Sequence, residues 1–189
     1  TGEMFACDHD NVTPDILVLG KGLTGGYLPL SATITTNDIF ETFLGDHDEL
    51  KAFFHGHSYS GNPLACSAAI ANLEIFEQNQ TIKKAKKVIE IFEDELKEFS
   101  GLEHVSSVRS KGLMAGIDLK KNVNKNISYK INERIGKKIC DTAKREGVLI
   151  RPLGDTIVIM PPVSINQKEL KKLTRTIYKS IKEVTENEI

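Results

Sequence analysis

The sequence predicts a mixed α+β / α/β chain in which an antiparallel sheet carries helices on one face. From about residue 60 onward the predicted elements run helix, helix, hairpin, helix, hairpin, helix, which is the order of a compact α+β module. Before it, the apolar run Ile16–Leu19 ends abruptly at Gly20 and predicts a strand buried on both faces. The first third of the chain is therefore expected to contribute strands to a different layer.

Composition places the chain among ordinary globular proteins. Its 189 residues are enough for one domain, or for a domain plus part of another, and 40% are hydrophobic and 27% charged. The net charge of −1 gives no electrostatic reason to expect nucleic acid or an acidic membrane as a partner. No apolar run approaches the roughly 18 residues of a membrane span. The three cysteines, Cys7, Cys66 and Cys140, are far apart and predict reduced thiols in a cytoplasmic protein.

The elements of the first part are short. Residues 1–13 form a loop, Ile16–Leu19 a strand, and Ala32–Thr35 a second strand. Asn37 and Asp38 are expected to cap a short helix that ends at residue 43, before a charged loop at 46–51.

The elements of the second part are longer and have clearer end signals. Asn62 is the expected N-cap of an alanine-rich helix, with Pro63 at its first position. Gly147 is expected to close a helix at the C′ position, and Asn166 with Glu169 to form the capping box of the last helix. The predicted helices are 64–76, 80–99, 129–146 and from 167 onward, and the predicted strands are 105–108, 113–119, 148–153 and 156–160.

Lys21 follows the first strand directly and stands between Gly20 and Gly22. Partial burial at a strand end, away from carboxylates, lowers a lysine pKa and favours the neutral amine that a Schiff base requires. The alternative is a solvated loop lysine, because lysine is seldom buried without a partner. A phosphate-binding P-loop is excluded, since position 15 is Asp and position 22 is Gly rather than Ser or Thr.

The segment 55–65 leads small and hydroxyl residues into the helix that Asn62 caps. Free backbone N–H groups at a helix N-terminus favour a phosphate, although a plain capped helix has the same pattern. His55 and His57 have the spacing of some metal-binding pairs, but no third ligand lies nearby in the sequence, so no metal site is expected.

Arg151 interrupts an apolar strand just before Pro152. It is either a surface ion-pair residue or a carboxylate-binding residue, because the planar guanidinium can hold a carboxylate through two parallel hydrogen bonds. The residue pattern leaves both roles open.

A resemblance to a known family adds to these observations. The lysine segment of the class III aminotransferases, fold type I enzymes that use pyridoxal 5′-phosphate, closely resembles residues 20–33, GKGLTGGYLPLSAT. The resemblance implies that residues 1–61 carry the last strands of the large cofactor-binding domain of a fold type I enzyme. It further implies that 62–78 is a linking helix and 79–189 a C-terminal small domain.

The same resemblance implies a role for each site residue. Lys21 forms the Schiff base with the cofactor, contacts the substrate and moves the proton. The segment HGHSYSGNPLA at 55–65 resembles a family segment in which Gly56 lies against the substrate, while His57 and Ser58 reach the phosphate held by the partner subunit of a homodimer. Many relatives have Pro at the position of His57 and Thr at the position of Ser58. Ser58 keeps the hydroxyl group that Thr has in those relatives. Arg151, within Ile-Arg-Pro, binds the substrate carboxylate.

Residues 23–31, LTGGYLPLS, look most like the branch of the family that acts in biotin biosynthesis. That likeness implies amino transfer from S-adenosylmethionine, or lysine, to 8-amino-7-oxononanoate, giving 7,8-diaminononanoate. Another ω-aminotransferase of the class, a semialdehyde aminomutase, or a non-enzymatic dimerising domain are the alternatives.

Thr1-Gly2 resembles the end of a family motif that precedes the lysine strand. We therefore expect this chain to be the C-terminal portion of a longer enzyme. In the family, the carboxylate that pairs with the pyridine nitrogen lies upstream of that motif, so the isolated chain is expected to be inactive.

Overall fold

The computed structural model describes residues 1–186, which divide into two compact units. One unit is Phe5–Thr81, and the other combines Thr1–Met4 with the residues from Ile82 onward. Within residues 1–186, no helix combines the length and the apolar character needed to cross a membrane.

The unit Phe5–Thr81 contains a two-stranded sheet and one long helix. Strands β1 (Ile16–Leu19) and β2 (Ala32–Thr35) pair antiparallel, with both bounds as predicted. Helix α1 (Asn37–Glu41) is shorter than predicted and has Thr36, rather than Asn37 or Asp38, at its N-cap. Helix α2 (Pro63–Gln78) begins at the predicted proline.

The prediction that β1 is buried on both faces is wrong for the described residues. Ile16 is 55% and Val18 69% exposed, because β1 pairs with β2 alone and no other described element covers these side chains. An apolar run indicates that a strand is buried, but the residues that bury it belong to other parts of the protein.

The second unit is built on a four-stranded antiparallel sheet in the order β3-β4-β6-β5. Its helices are α3, α4 and α5. The bounds are α3 Thr81–Lys97, β3 Val105–Lys111, β4 Met114–Leu119, α4 Ile135–Arg145, β5 Arg151–Leu153, β6 Thr156–Ile159 and α5 Gln167–Glu186.

One face of this sheet is covered by the helices. Alternate residues of β4 and β6 are buried, including Ile117, Ile157 and Ile159, and they join one core cluster with Phe92 of α3 and Ile177 of α5. Side chains alternate between the two faces of a strand, so the residues between them lie on the other face. This arrangement confirms the predicted antiparallel sheet with helices on one face.

The helix-end signals of this unit are confirmed by hydrogen bonds. Gly147 has φ 78°, and the next amide, Val148 N–H, donates to the Ala143 carbonyl at 3.0 Å, which closes α4. Asn166 and Glu169 form the capping box, with donor–acceptor distances of 3.2 and 2.9 Å.

Three boundaries of this unit differ from the predictions by three residues or more. β3 continues to Lys111 because it is an edge strand whose outer side tolerates polar residues. α4 starts at Ile135 rather than near 129, because Arg134 takes the left-handed φ of 49°. β5 starts at Arg151 rather than Val148.

Candidate active site

The lysine turn, Lys21–Thr24, is a single turn of 3₁₀ helix that follows β1 after one residue. Leu23 N–H donates to the Gly20 carbonyl at 3.2 Å, and Gly25 N–H to the Gly22 carbonyl at 3.0 Å. Lys21 itself has φ 50°, a left-handed angle that costs a non-glycine residue about 1 kcal/mol or more. The turn therefore holds Lys21 in a conformation that an isolated chain would seldom adopt.

Contacts on the far side of the turn fix it in place. Thr24 is 2% exposed, and its hydroxyl donates to the Leu28 carbonyl. Gly25 follows at φ 61°, a conformation that favours glycine.

The Lys21 side chain is exposed, so the predicted partial burial is wrong for the described residues. Its neighbours Gly20 and Gly22 have no side chains that could cover the amine. The amine is therefore accessible to solvent and to small molecules.

Asn72 of α2 is hydrogen-bonded to the lysine turn. Its side-chain amide donates to the Gly22 carbonyl at 2.9 Å and to the Leu23 carbonyl at 3.2 Å. Asn72 is not among the residues predicted for the site, although an asparagine in the interior of an alanine-rich helix is an available signal.

A broad cavity of about 1400 Å³ opens beside the lysine turn. It brings Lys21 together with part of the segment predicted to contact phosphate, within one compact unit. Its polar and aromatic lining includes Lys21, Tyr27, Ser31, His57, Ser60 and Asn62. Gly56 and Ser58 belong to the same exposed segment as His57.

The N-terminus of α2 is capped as predicted. Asn62 Oδ1 accepts hydrogen bonds from Leu64 N–H at 3.0 Å and Ala65 N–H at 3.2 Å. These two amides are therefore already paired, which favours a plain capped helix at this point. These two amides are thus not free to bind a phosphate.

The segment that precedes α2, 56–61, is folded by local hydrogen bonds. His57 N–H donates to Ser60 Oγ at 3.2 Å, and Tyr59 N–H donates to His57 Nδ1 at 3.2 Å. Because Nδ1 accepts, the proton of a neutral His57 ring lies on Nε2. His55 instead stacks on Phe53, with ring centroids 5.4 Å apart. Across residues 1–186, no three histidine, cysteine or acidic side chains cluster closely enough to hold a metal ion.

Arg151 begins β5 on the open face of the four-stranded sheet. Its pairing partner is Val158, which pairs in turn with Gly116, and Gly116 with Arg109. Directly opposed residues of a sheet share a face, so both arginines lie opposite the helices. Arg151 is exposed, and no acidic side chain among residues 1–186 pairs with it, so the surface ion-pair role is not realised there.

Arg109, by contrast, is engaged by Asp118. The Asp118 carboxylate also accepts hydrogen bonds from Ser107 Oγ and Thr156 Oγ1, each at 2.6 Å. Burial opposes ionisation of Asp118, but the hydrogen bonds from Ser107, Thr156 and Arg109 outweigh it and lower the pKa of Asp118. The open face therefore carries one neutralised arginine and one arginine available to an anion.

The predicted site residues fall into both units. Lys21, Gly56, His57 and Ser58 belong to Phe5–Thr81, and Arg151 belongs to the other unit. The grouping of Arg151 with the lysine stays a prediction.

A second cavity, of about 780 Å³, lies along α4 and α5. Its lining is dominated by charged side chains of α5 such as Lys168, Lys171 and Arg175. The cavity beside Lys21 is the candidate site, because it combines an accessible amine with glycine-rich backbone.

Comparison with known proteins places this geometry in context. The family model of aminotransferase class-III matches residues 1–181. An adenosylmethionine-8-amino-7-oxononanoate aminotransferase of Aquifex aeolicus is 47% identical over 184 residues, which is 97% of this chain and 41% of the relative. The chain thus spans about two fifths of the length of this curated relative.

Solved structures give the same picture. The crystal structure of adenosylmethionine-8-amino-7-oxononanoate aminotransferase from Methanocaldococcus jannaschii superposes with a TM-score of 0.92 at 45% identity, covering 97% of this chain and 43% of that one. An (S)-enantioselective omega-transaminase from Thermomicrobium roseum gives a TM-score of 0.90 at 30% identity, covering 97% and 40%.

Proposed function

The chain belongs to the class III aminotransferases, and from that premise we propose that it forms the C-terminal portion of a pyridoxal-5′-phosphate enzyme that aminates 8-amino-7-oxononanoate to 7,8-diaminononanoate. The observation that carries the proposal is the exposed Lys21 amine, held at a left-handed backbone angle beside a wide cavity. Five relatives at 42 to 47% identity carry the name of this reaction, which supports the choice of substrate.

The residues present fit the cofactor. The cavity of about 1400 Å³ presents an accessible amine together with hydroxyl and imidazole groups, the donor set that an aldehyde-bearing phosphate ester needs. When bound, pyridoxal 5′-phosphate supplies an electron sink that makes a proton beside the reacting amine removable. Lys21 Nζ would hold the cofactor covalently, and its free amine would accept and return that proton.

His57 and Ser58 hold the phosphate in this proposal, and Gly56 leaves room for the substrate. Because the Leu64 and Ala65 amides of α2 are already paired with Asn62, we assign phosphate binding to the segment before the helix. The segment is exposed in the described chain, with Phe54 91% and Tyr59 75% exposed, which supports cover by a second subunit. We therefore place the site at the interface of a homodimer, with His57 and Ser58 reaching the partner's phosphate.

The proposed domain organisation follows from the same reading. Residues 1–61 end the large cofactor-binding domain, 62–78 link, and 79–189 form the small domain. The separation of the chain into two compact units near Thr81 supports the proposed start of the small domain near residue 79. The protein acts on small molecules in the cytoplasm, without nucleic acid or membrane.

The amino donor is S-adenosylmethionine, as the names of the relatives state for those proteins, with lysine as the alternative. A second candidate reaction, amino transfer by another ω-aminotransferase of the class or a semialdehyde aminomutase, is favoured by the likeness to the Thermomicrobium omega-transaminase. Assays of the protein that contains this chain, with 8-amino-7-oxononanoate against a panel of ω-amino acids, distinguish the two.

The isolated 189-residue chain is expected to be inactive. Among residues 1–186, no acidic side chain lines the Lys21 cavity and so none there can pair with the pyridine nitrogen. Assays of the purified chain for diamine formation check this, with the full-length protein as the positive control. Measurable turnover by the isolated chain would count against this expectation.

Replacing Arg151 with alanine is expected to raise KM for 8-amino-7-oxononanoate by about tenfold to a hundredfold, because two charge-assisted hydrogen bonds to its carboxylate are lost. Cofactor absorbance should be unchanged, since Arg151 lies outside the unit that carries Lys21. Steady-state kinetics of the full-length protein measure both quantities. Arg145→Ala, at an exposed arginine near the end of α4, is the control. An unchanged KM in Arg151→Ala would remove Arg151 from the substrate site.

A further inference from the structure

Asn72 connects the long helix of the first unit to the lysine turn. It lies in the interior of α2, whose first turn is capped by Asn62. Both side-chain N–H donors are used on two successive carbonyls, those of Gly22 and Leu23, fifty and forty-nine residues away along the chain. Asn72 is half-buried rather than directed into water.

The two carbonyls need these donors. A single 3₁₀ turn leaves most of its carbonyls without a following helical N–H, so they require other partners. Gly22 has one such partner, Gly25 N–H, and Asn72 adds a second. Asn72 thereby stabilises a turn whose first residue, Lys21, takes an unfavourable left-handed angle.

Asn72 also packs tightly on the exit of the turn. A methyl group built on Gly25 would lie 3.1 Å from Asn72 Oδ1, so the amide is in close contact with the backbone there. Contact on both the carbonyls and the exit glycine fixes the turn on α2 in position and in orientation.

We propose that Asn72 is a positioning residue for Lys21, which it reaches through the lysine turn without touching the reacting atoms. The role rests on the function proposed above. Because α2 also begins at the edge of the same cavity, Asn72 fixes the lysine amine relative to the wall of that cavity. Loss of Asn72 leaves the amine present but no longer held for reaction.

The test uses the full-length protein with Asn72→Ala. Alanine has a higher helix propensity than asparagine, so α2 itself is not weakened by this change. Asn72→Asp is the second variant, since it keeps the size of the side chain but directs a carboxylate at two carbonyl oxygens. Asn79→Ala, at the end of the same helix, is the matched control.

Two measurements are made on each variant. Hydrogen exchange at the Leu23 and Gly25 amides reports the order of the turn, because both amides donate within it. The rate of pyridoxal-5′-phosphate labelling at Lys21, trapped with borohydride and mapped by peptide mass spectrometry, reports the position of the amine, with Lys168 as an internal reference.

Both Asn72 variants are expected to exchange these two amides on the order of tenfold faster and to label Lys21 on the order of tenfold more slowly, with Lys168 unchanged. Unchanged exchange, or faster exchange with an unchanged Lys21 rate, overturns the inference. If wild-type Lys21 takes no label, the proposed function fails instead, and the exchange result alone then decides whether Asn72 holds the turn.

Discussion

Replacing Lys21 with alanine is expected to reduce amino transfer by the full-length protein by about four orders of magnitude or more. The change removes both the covalent attachment point and the group that carries the proton. The exposed side chain makes few packing contacts, so the free energy of unfolding should change little. Formation of 7,8-diaminononanoate measures kcat, and borohydride reduction with peptide mapping measures attachment of the cofactor.

The matched controls separate charge from chemistry. Lys21→Arg keeps the positive charge but offers no neutral amine, because arginine is not deprotonated in proteins, so it should be as inactive as Lys21→Ala. Lys51→Ala removes an exposed lysine that pairs with Glu49 in the same unit and should retain full activity. A Lys21→Ala protein with more than about a tenth of the wild-type kcat would be incompatible with a covalent role.

Much of the fold could be predicted because its signals are local. The β1 and β2 bounds, the Asn62 cap, the C′ Gly147 and the Asn166–Glu169 capping box each depend on a few neighbouring residues. The extent of β3 and the late start of α4 depend instead on sheet-edge position and on the left-handed Arg134, which the sequence pattern does not reveal.

Residues of the candidate site could be predicted only where they belong to a motif of consecutive residues. Lys21 and His57 are predicted from segments that resemble family motifs, and both line one cavity, while their roles stay predictions. Asn72 was missed because its contacts join residues about fifty positions apart. The predicted burial of Lys21 was wrong because burial depends on elements beyond its own turn.

Several large apolar side chains of the unit Phe5–Thr81 are exposed. Tyr27 of the lysine segment is 88% exposed, as are Phe54 at 91% and Val18 at 69%. Apolar exposure on this scale is typical of surfaces that bind another protein surface. These side chains therefore form an apolar surface that the rest of the longer protein, or a second subunit of the proposed dimer, would cover.

Replacing Gly136 with alanine is expected to lower the free energy of unfolding by about 2 kcal/mol, or the Tm of the small domain by about 5 to 10 °C. Gly136 is buried in the first turn of α4, where the helix packs on the β5–β6 hairpin. A Cβ at this position would overlap the Gly154 carbonyl and approach Pro152 Cβ to 2.8 Å. Thermal unfolding of the full-length protein, followed by circular dichroism, measures the change.

The sign of this effect distinguishes backbone contact from helix propensity. Alanine in place of glycine inside a helix normally stabilises by about 1 kcal/mol, so a loss of stability at Gly136 requires the overlap with the hairpin. Gly101→Ala, where no atom lies within 4 Å of the added methyl, is the control and should change stability by less than about 0.5 kcal/mol. A Gly136→Ala protein as stable as wild type would mean that α4 does not pack on the hairpin in this way. Because Arg151 directly precedes Pro152 on the displaced strand, the destabilised variant should also show a raised KM for the keto acid.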